Sequence, residues 1–517
     1  MKKFIQREDY PIVKTKAGKL RGFELDGMFH FYGIQYATAK RFLPPKPVAK
    51  WEGVKEATSY GYIAPLIDPA SPMGDVAIPH RFWPESEDCL YLNVWTKSLE
   101  KTAKKPVMVW LHGGGFSAGS SLEMVAYDGA NLCDFGDVVV VTLNHRLNML
   151  GYLDLSSFGA KYKNSGNAGM EDIVVALKWV RDNIAGFGGD PDNVTIFGQS
   201  GGGMKVTCLG QIPEAYGLFH RMIVMSGVGD FGGRDKRDDR KIALAMLEHL
   251  GLKEKDIGKL ETLPLHDLFE AFHAVQKQLR KAGVTLTWEP IKNDWYLGDP
   301  LEVGFSDYAK TIPTMVGTVV AEFAAFGPGV PGRAGMTSEQ KHGVLEQRYD
   351  KHTDKVVELF RKAYPGHDDL EVLMLDNIFR KPTLRYIEEK SAAATAPVYS
   401  YMFALDFPID GGKPAWHCAD IPYVFHNTEL VPNCGMPGIS ERVEEQMSSA
   451  YVNFARSGDP NTPALPEWSA FTPKNKATMV FDKRSELRVD YERELFDLLD
   501  KILPPFSLAD MFAHNDD

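Results

Sequence analysis

Short apolar runs rich in β-branched residues alternate with helical patterns along this 517-residue chain. Apolar strands that alternate with helices are typical of a mostly parallel sheet buried on both faces. The pattern therefore predicts an α/β fold with helices on both faces of a mostly parallel central sheet, whose strands include residues 107–111, 138–143, 194–197, 222–225, 314–318 and 398–403.

Two apolar stripes at helical spacing predict helices that cover this sheet. The first stripe stops before the glycine-rich segment 186–189, and the second stops at Ser457-Gly458-Asp459-Pro460, where glycine and proline end a helix. The stripes consist of Ile173, Leu177, Val180 and Ile184, and of Val443, Met447, Tyr451 and Phe454.

Two segments, about 234–309 and about 337–389, shift to a charged, helix-forming composition. We interpret both as helical insertions that interrupt the sheet of one domain spanning residues 1–517, because neither segment resembles a domain with its own sheet. Insertions above strand ends usually shape the access to a site.

The composition narrows the classes of partner. A net charge of −11 and an isoelectric point near 5.8, without long acidic blocks, argue against nucleic acid or an anionic membrane as the main partner. Five cysteines without paired spacing predict neither a disulfide framework nor a metal site. No signal peptide is evident, and no run approaches the ~20 apolar residues of a membrane span. We therefore expect a cytoplasmic protein, whose oligomeric state the sequence does not predict.

A serine bracketed by glycines follows the predicted strand 194–197, in the order Gly198-Gln199-Ser200-Gly201-Gly202. A strand that enters a very tight turn can hold one hydroxyl above the edge of the sheet, and only small residues fit beside it. Ser200 is therefore a candidate nucleophile. A glycine-rich turn without chemistry is the alternative at this point.

Three successive glycines follow the strand 107–111, as Gly113, Gly114 and Gly115. Their unobstructed N–H groups, together with the N–H group of Gly201, could stabilise the oxyanion that such a nucleophile produces. The alternative is a phosphate-binding GxGxxA turn formed by Gly113, Gly115 and Ala118. That turn requires an amphipathic helix, which residues 117–121 do not open.

A serine nucleophile also needs a base and an orienting acid. His417 lies late in the chain, and Glu322 lies just past the strand 314–318. These positions match the α/β-hydrolase order of serine, acid and histidine. On the residues alone a buried structural histidine is an alternative for His417, and Asp406 and Asp420 are alternatives for the acid.

These segments together resemble the type-B carboxylesterase family, which includes para-nitrobenzyl esterases and cholinesterases. Residues 187–202 satisfy its serine signature, and Glu87-Asp88-Cys89-Leu90-Tyr91-Leu92-Asn93-Val94 satisfies a second one. The likeness extends from about Gly18 to Trp468. The family's spacing after a Gly-Thr pair, here Gly317-Thr318, selects Glu322, and the acidic and aromatic residues after His417 select that histidine.

The resemblance implies an α/β-hydrolase fold and a serine carboxylesterase that uses no cofactor and no metal. Ser200, Glu322 and His417 would form the catalytic triad, and Gly114, Gly115 and Gly201 would form the oxyanion hole. The implied substrates are small neutral carboxylic esters. Alternatives are amides, lactones or polyester toxins cleaved by the same mechanism, or a non-catalytic binding protein of the same fold.

Three departures from the family pattern and one tryptophan bear on the expected site. Gln199 stands where glutamate is usual, which argues against a preference for cationic choline esters. Gly201 stands where alanine is usual, and Cys418 replaces a small residue after the histidine. Trp83 lies closer to Cys89 than the choline-site tryptophan of cholinesterases does, so we interpret it as an ordinary packed residue.

Overall fold

A twelve-stranded sheet runs through the computed structural model, which describes residues 3–67, 79–229, 237–324, 330, 332–376 and 378–504. In chain order its strands are β1 (Phe4–Ile5), β2 (Phe23–Leu25), β3 (Met28–Gln35), β4 (Tyr91–Thr96), β5 (Lys105–Leu111), β6 (Val139–Leu143), β7 (Gly189–Gln199), β8 (Arg221–Met225), β9 (Thr314–Val319), β10 (Val398–Phe403), β11 (Ala477–Phe481) and β12 (Glu486–Val489).

The strands lie in the order β1-β2-β3-β4-β6-β5-β7-β8-β9-β10-β11-β12. All neighbours from β6 to β11 pair in parallel, whereas β1 to β4 and β12 join the edges by antiparallel pairing. The mostly parallel central sheet and its six predicted strands are thus confirmed. The antiparallel edges were not predicted, because several of these strands are short and mix polar with apolar residues.

Side chains that alternate between the two faces of the central strands divide the hydrophobic core into two clusters. Val107, Val109 and Leu111 of β5 belong to one buried cluster, and Met108 and Trp110 belong to the other. Because successive side chains of a strand point to opposite faces, the sheet is buried on both sides.

Helices cover both of these faces. The helices are α1 (Ala130–Gly136), α2 (Asn148–Tyr152), α3 (Ala168–Asn183), α4 (Gly201–Leu209), α5 (Asp239–His249), α6 (Leu265–Lys281), α7 (Pro300–Val303), α8 (Asp307–Thr311), α9 (Ser338–Tyr349), α10 (Thr353–Ala363), α11 (Arg380–Ala393), α12 (Ile421–Phe425), α13 (Ser440–Ser457) and α14 (Arg493–Ile502). Residues of α3, α4, α5 and α6 pack in the first cluster, and residues of α10, α12, α13 and α14 pack in the second.

The two helices predicted from apolar stripes are α3 and α13. Helix α13 ends as expected at Gly458, which adopts φ 85° and donates its N–H to the carbonyl of Phe454. A left-handed residue at this position is what glycine supplies without steric cost.

The segments between β8 and β9 and between β9 and β10 are helical. The first contains α5 to α8 and the second contains α9 to α11, and neither contributes a strand in its described part. The organisation as one domain with two insertions stays a prediction. Short strands outside the main sheet are Ile12–Lys14, Lys19–Arg21 and Val54–Glu56, Ala37–Thr38 with Lys46–Pro47, and Asp406–Phe407 with Lys413–Pro414.

Candidate active site

Ser200 occupies a strained turn between β7 and α4. Its backbone has φ 56° and ψ −127°, and its N–H donates to the carbonyl of Met225 at 2.8 Å. A Cβ atom added at Gly202 would lie 1.9 Å from the carbonyl oxygen of Leu111, and one added at Gly198 would lie 2.5 Å from the carbonyl carbon of Gly202. The two glycines that bracket the serine are therefore required by close backbone packing.

The glycine loop that follows β5 packs against this turn. A Cβ atom added at Gly113 would lie 3.6 Å from Cβ of Ser200, and one added at Gly201 would lie 2.2 Å from the carbonyl oxygen of Gly115. Gly114 and Gly115 have positive φ angles of 79° and 60°. The backbone of this loop thus lies directly beside the first residue of α4.

The phosphate-turn alternative for this loop does not fit the structure. Residues 117–121 form turns and bends, and the next helical element is the short 3₁₀ turn Val125–Tyr127. A dinucleotide-binding turn needs a helix whose N-terminus faces the pyrophosphate. Among the described residues around the loop, that helix is absent.

His417 and Glu322 form a hydrogen-bonded pair at the end of β9. His417 Nδ1 lies 2.5 Å from Glu322 Oε2, and the backbone N–H of His417 donates to the Glu322 carbonyl at 2.9 Å. Ser226 Oγ and the N–H of Val319 donate to Glu322 Oε1 at 2.6 and 3.1 Å. Phe379 stacks on the imidazole with ring centroids 5.2 Å apart. The carboxylate is fully buried, whereas 14% of the His417 side chain is exposed.

The two alternative acids lie in other environments. Asp406 forms an ion pair with Lys483 at 3.3 Å. Asp420 is buried and accepts a hydrogen bond from the hydroxyl of Tyr401 at 3.1 Å. Burial and the nearby charge of Glu322 raise the pKa of Asp420 to about 7. Of these three acids, all within the described residues, only Glu322 hydrogen-bonds His417.

Gln199 connects the histidine to the serine turn. Its Nε2 lies 3.3 Å from His417 Nδ1 and 3.2 Å from His417 Nε2, and its Oε1 accepts a hydrogen bond from Cys418 Sγ at 3.2 Å. No hydrogen bond joins the hydroxyl of Ser200 to His417 in the described part of the chain. The structure therefore brings Ser200 and His417 together through the residue that precedes the serine.

A cavity of about 750 Å³ lies near the serine turn. Part of its lining comes from segments that surround the turn, namely Phe116 after the glycine loop, Met204 from α4, and Gly227 and Val228 after β8. The remaining lining comes largely from the first insertion, including residues 237–241, 282–284, 289–292 and 298–302. Charged and apolar side chains both line this cavity, and most of them belong to the segment between β8 and β9.

Sequence reasoning did not identify the charged residue behind the glycine loop. Lys205 of α4 is fully buried, and its Nζ donates to the carbonyl of His112 at 2.9 Å. The imidazole of His112 stacks on His145 with ring centroids 4.9 Å apart. The available signal was a lysine inside a short helix of otherwise small and apolar residues.

Apart from Cys418, the other features named from the sequence take no part in these contacts. Trp83 packs edge-on against Tyr60 with ring centroids 5.7 Å apart and is 37% exposed. All five cysteines lie in the described residues and none forms a disulfide. The described part of the chain also contains no group of three or more His, Cys, Asp or Glu side chains that could hold a metal ion. The cytoplasmic location stays a prediction.

The described helices include none that combines the length and the apolar character needed to cross a membrane.

The fold and this turn define the class of the protein. A mainly parallel sheet covered by helices, with a serine in a tight turn after a central strand, is the α/β-hydrolase fold. A model of the carboxylesterase family matches residues 9–498. The chain therefore belongs to the carboxylesterase family.

Three relatives illustrate the similarity. The para-nitrobenzyl esterase of Bacillus subtilis (strain 168) is 34% identical over 494 residues, which cover 94% of this chain and 97% of the relative. The phenmedipham hydrolase of Pseudarthrobacter oxydans is 31% identical over 503 residues and covers 93% and 97%. A solved structure of an esterase from anaerobic Clostridium hathewayi, which can hydrolyze aliphatic aromatic polyesters, is 49% identical, has a TM-score of 0.93 and covers 97% and 100%.

These findings make the chain a carboxylic ester hydrolase.

Proposed function

We propose that the chain is a serine carboxylesterase that works through an acyl-enzyme on Ser200, with His417 as the base and Glu322 as the orienting acid. The observation that carries the proposal is the 2.5 Å contact between His417 Nδ1 and the buried Glu322 carboxylate, made beside the strained turn that holds Ser200. A base oriented by a third group next to a nucleophile is the arrangement that activates a serine.

Acylation begins when Ser200 Oγ attacks the ester carbonyl carbon and His417 Nε2 takes the hydroxyl proton. Because Nδ1 donates to Glu322, Nε2 carries the lone pair that this step needs. The C–O bond to the alcohol then breaks, and the departing alkoxide takes the proton from His417. The Ser200–His417 hydrogen bond forms with substrate bound, since catalytic hydrogen bonds are often loose in the free enzyme.

The tetrahedral oxyanion would accept hydrogen bonds from the N–H groups of Gly114, Gly115 and Gly201. The close approach of Gly115 to Gly201 supports this assignment, because it places the glycine loop at the start of α4. One such donor contributes about 3 to 4 kcal/mol in comparable sites. Water, activated by His417, then attacks the acyl group and releases a carboxylate and free Ser200. No cofactor takes part in this sequence.

Small neutral esters are the proposed substrates. Gln199 is uncharged, so no carboxylate lies at this position beside the nucleophile to attract a cationic alcohol. We assign one part of the ester to the cavity of about 750 Å³, because Phe116 after the glycine loop and Met204 of α4 both line it. Amides and lactones remain alternatives that the same mechanism could serve.

The first test measures the hydrolysis of para-nitrophenyl esters of increasing acyl length by wild type and by Ser200→Ala. We expect the variant to lose activity by about three to six orders of magnitude, because the covalent route is gone. A phosphonate probe should add one mass increment to wild type and none to the variant. Equal rates would make the assignment of Ser200 wrong. A correctly folded wild type inactive on every ester would support a non-catalytic binding protein.

The second test separates the three acids. Glu322→Gln should lower kcat by about 10⁴, as loss of a triad acid does when the imidazole tautomer is no longer fixed. Asp420→Asn and Asp406→Asn serve as matched controls and should retain kcat within about tenfold. A near-normal Glu322→Gln enzyme, with a large loss in either control, would transfer the role to that aspartate.

A second candidate substrate is an aliphatic aromatic polyester. The 49% identity to the Clostridium hathewayi esterase, over 97% of this chain, favours it. Films of such a polymer should release soluble acids with wild type and not with Ser200→Ala, as measured by liquid chromatography. Normal hydrolysis of para-nitrophenyl esters without release from the film would exclude the polymer and leave the esterase proposal intact.

A further inference from the structure

A lysine is buried directly behind the loop that carries the proposed oxyanion glycines. Lys205 is fully buried, and its Nζ donates to the carbonyl oxygen of His112 at 2.9 Å. Its Nζ also lies 5.7 Å from the ring centroid of Phe116. The lysine belongs to α4, the helix that begins with Gly201, whereas His112 and Phe116 flank the glycine triplet after β5.

This contact acts on the peptide unit that precedes the two proposed donor N–H groups of the loop, those of Gly114 and Gly115. The carbonyl of His112 and the N–H of Gly113 share one peptide unit, and the carbonyl of Gly113 shares the next unit with the N–H of Gly114. Lys205 donates to the first carbonyl and His112 Nδ1 donates to the second at 2.9 Å. A donor on a carbonyl polarises the N–H of the same unit and fixes its direction.

Burying an amine at this position is costly, which argues for a role beyond packing. Burial lowers the pKa of Lys205 to about 7, although the charges of Glu123 and Cys208 act in the opposite direction. Burial and the lysine charge also lower the pKa of both His112 and His145 well below the ordinary value, so the two stacked rings are neutral. His112 therefore donates through Nδ1 as a neutral tautomer.

We propose that Lys205 is a positioning residue that ties the two halves of the oxyanion hole together through its hydrogen bond to the His112 carbonyl. One half is the loop 113–115 and the other is the N–H of Gly201 at the start of the helix that carries the lysine. Loss of the bond would let the loop shift against α4 and weaken stabilisation of the transition state more than binding of the substrate. This inference rests on the proposed function.

The chain offers a matched control. Lys390 of α11 is also fully buried, donates from Nζ to one backbone carbonyl, that of Ala309, at 2.8 Å, and lies 5.4 Å from an aromatic ring. Burial likewise lowers its pKa to about 7. Lys390 has no part in the proposed site. Lys390→Met therefore measures the stability cost of removing a buried lysine while the glycine loop stays intact.

The experiment compares Lys205→Met, Lys205→Gln and Lys205→Arg with wild type and Lys390→Met on one para-nitrophenyl ester. Inhibition constants are also measured for a trifluoromethyl ketone, which adds Ser200 Oγ to form a tetrahedral hemiketal, and for the matching methyl ketone, which binds without that addition. Thermal midpoints are recorded for each variant. Glutamine is a second removal variant, because it is too short to reach His112.

We expect Lys205→Met and Lys205→Gln to lower kcat by about 10- to 100-fold, since a misplacement of about 1 Å can cost that much. KM should change less than threefold. Affinity for the trifluoromethyl ketone should fall by the same factor as kcat/KM, with the methyl ketone unaffected. Lys205→Arg should recover most of kcat, and Lys390→Met should lose stability with kcat within twofold.

Three results would overturn the proposal: retention of kcat within twofold in either folded removal variant, an equal loss of kcat in Lys390→Met, or a loss of kcat without loss of trifluoromethyl ketone affinity. A different pattern would reject the proposed function itself. In that case Ser200→Ala would hydrolyse the ester as fast as wild type, whatever the Lys205 variants do.

Discussion

Three residues around the candidate site adopt backbone angles that side-chain-bearing residues rarely use. Ser200, Ser226 and Cys418 have φ angles of 56°, 44° and 75°. Such residues cost of order 1–3 kcal/mol each and persist only where their surroundings hold them. Here the N–H of Ser200 donates to Met225 and the N–H of Ser226 donates to Gly317, each at 2.8 Å. Hydrogen bonds between neighbouring strand ends thus hold the serine turn and the serine that contacts Glu322.

Gln199 is the residue that we expect to set the preference for neutral over cationic esters. We expect Gln199→Glu to raise the preference for a choline ester over its uncharged dimethylbutyl analogue by about tenfold in kcat/KM. The physical reason is that a carboxylate at position 199 attracts the bound cation, although the cost of burying that carboxylate offsets most of the Coulomb energy gained. Measuring both esters with both enzymes checks the result.

The uncharged ester is the internal control for this substitution. If Gln199→Glu changes kcat/KM for both esters equally, position 199 does not set the charge preference. Thermal midpoints accompany the kinetics, because the new carboxylate would also lie within reach of the Cys418 thiol.

At the scale of elements, the contact between the glycine loop and α4 explains a departure from the family pattern. Alanine is usual at position 201, but a Cβ atom there would lie 2.2 to 2.5 Å from backbone atoms of Gly115. We expect Gly201→Ala to push the loop away and to lower kcat by about 100-fold, with a smaller effect on KM. Steady-state kinetics on a para-nitrophenyl ester measures this change.

Gly210 at the end of the same helix is the control for that prediction. A Cβ atom added there meets its nearest neighbours, Cβ of Ala309 and the carbonyl oxygen of Thr207, at 3.4 Å, which is an ordinary contact distance. Gly210→Ala should therefore keep kcat within twofold. Should Gly201→Ala be equally active, the loop accommodates a methyl group and the close approach is not needed for catalysis.

Elements with strong local patterns could be predicted from the sequence, and contacts made by packing could not. The central strands and α3 and α13 carry continuous or periodic apolar residues, and the serine turn carries its glycines. Glu322 could be selected as the acid only through the family resemblance, because its hydrogen bond to His417 depends on how β9 ends beside β8. The burial of Lys205 depends on the loop after β5, where His112 accepts its hydrogen bond and Phe116 lies near its Nζ. A lysine in a helix normally predicts a solvated face.

At the scale of the molecule, a buried charge cluster joins distant parts of the chain. His367 lies between Glu371 at 2.8 Å and Asp482 at 3.0 Å, and Arg333 pairs with Glu371 at 2.9 Å. Asp482 follows β11, whereas the other three residues belong to the segment between β9 and β10. The cluster therefore joins the segment between β9 and β10 to the residue that follows β11.

This cluster predicts a pH dependence of stability. Burial alone would lower the pKa of His367, but hydrogen bonds and charges of Asp482 and Glu371 raise it to about 9. A group whose folded pKa exceeds its unfolded value of about 6.5 stabilises the fold fully below pH 6.5, and this contribution disappears as the pH rises through 9. We expect His367→Gln to lower the thermal midpoint strongly at pH 6 and much less at pH 10.

The difference between the two proteins isolates this histidine, because the buried lysines Lys205 and Lys390 titrate in both. Over the pH range the linkage amounts to at most about 3.5 kcal/mol, since the pKa of His367 rises from about 6.5 to about 9 and each pKa unit corresponds to about 1.4 kcal/mol. A gap in thermal midpoint that stays constant from pH 6 to pH 10 would mean that His367 is neutral in the folded state. The hydrogen bond from His367 to Asp482 would then join no opposite charges, and the Arg333–Glu371 pair could not replace it, because both of its residues belong to the segment between β9 and β10.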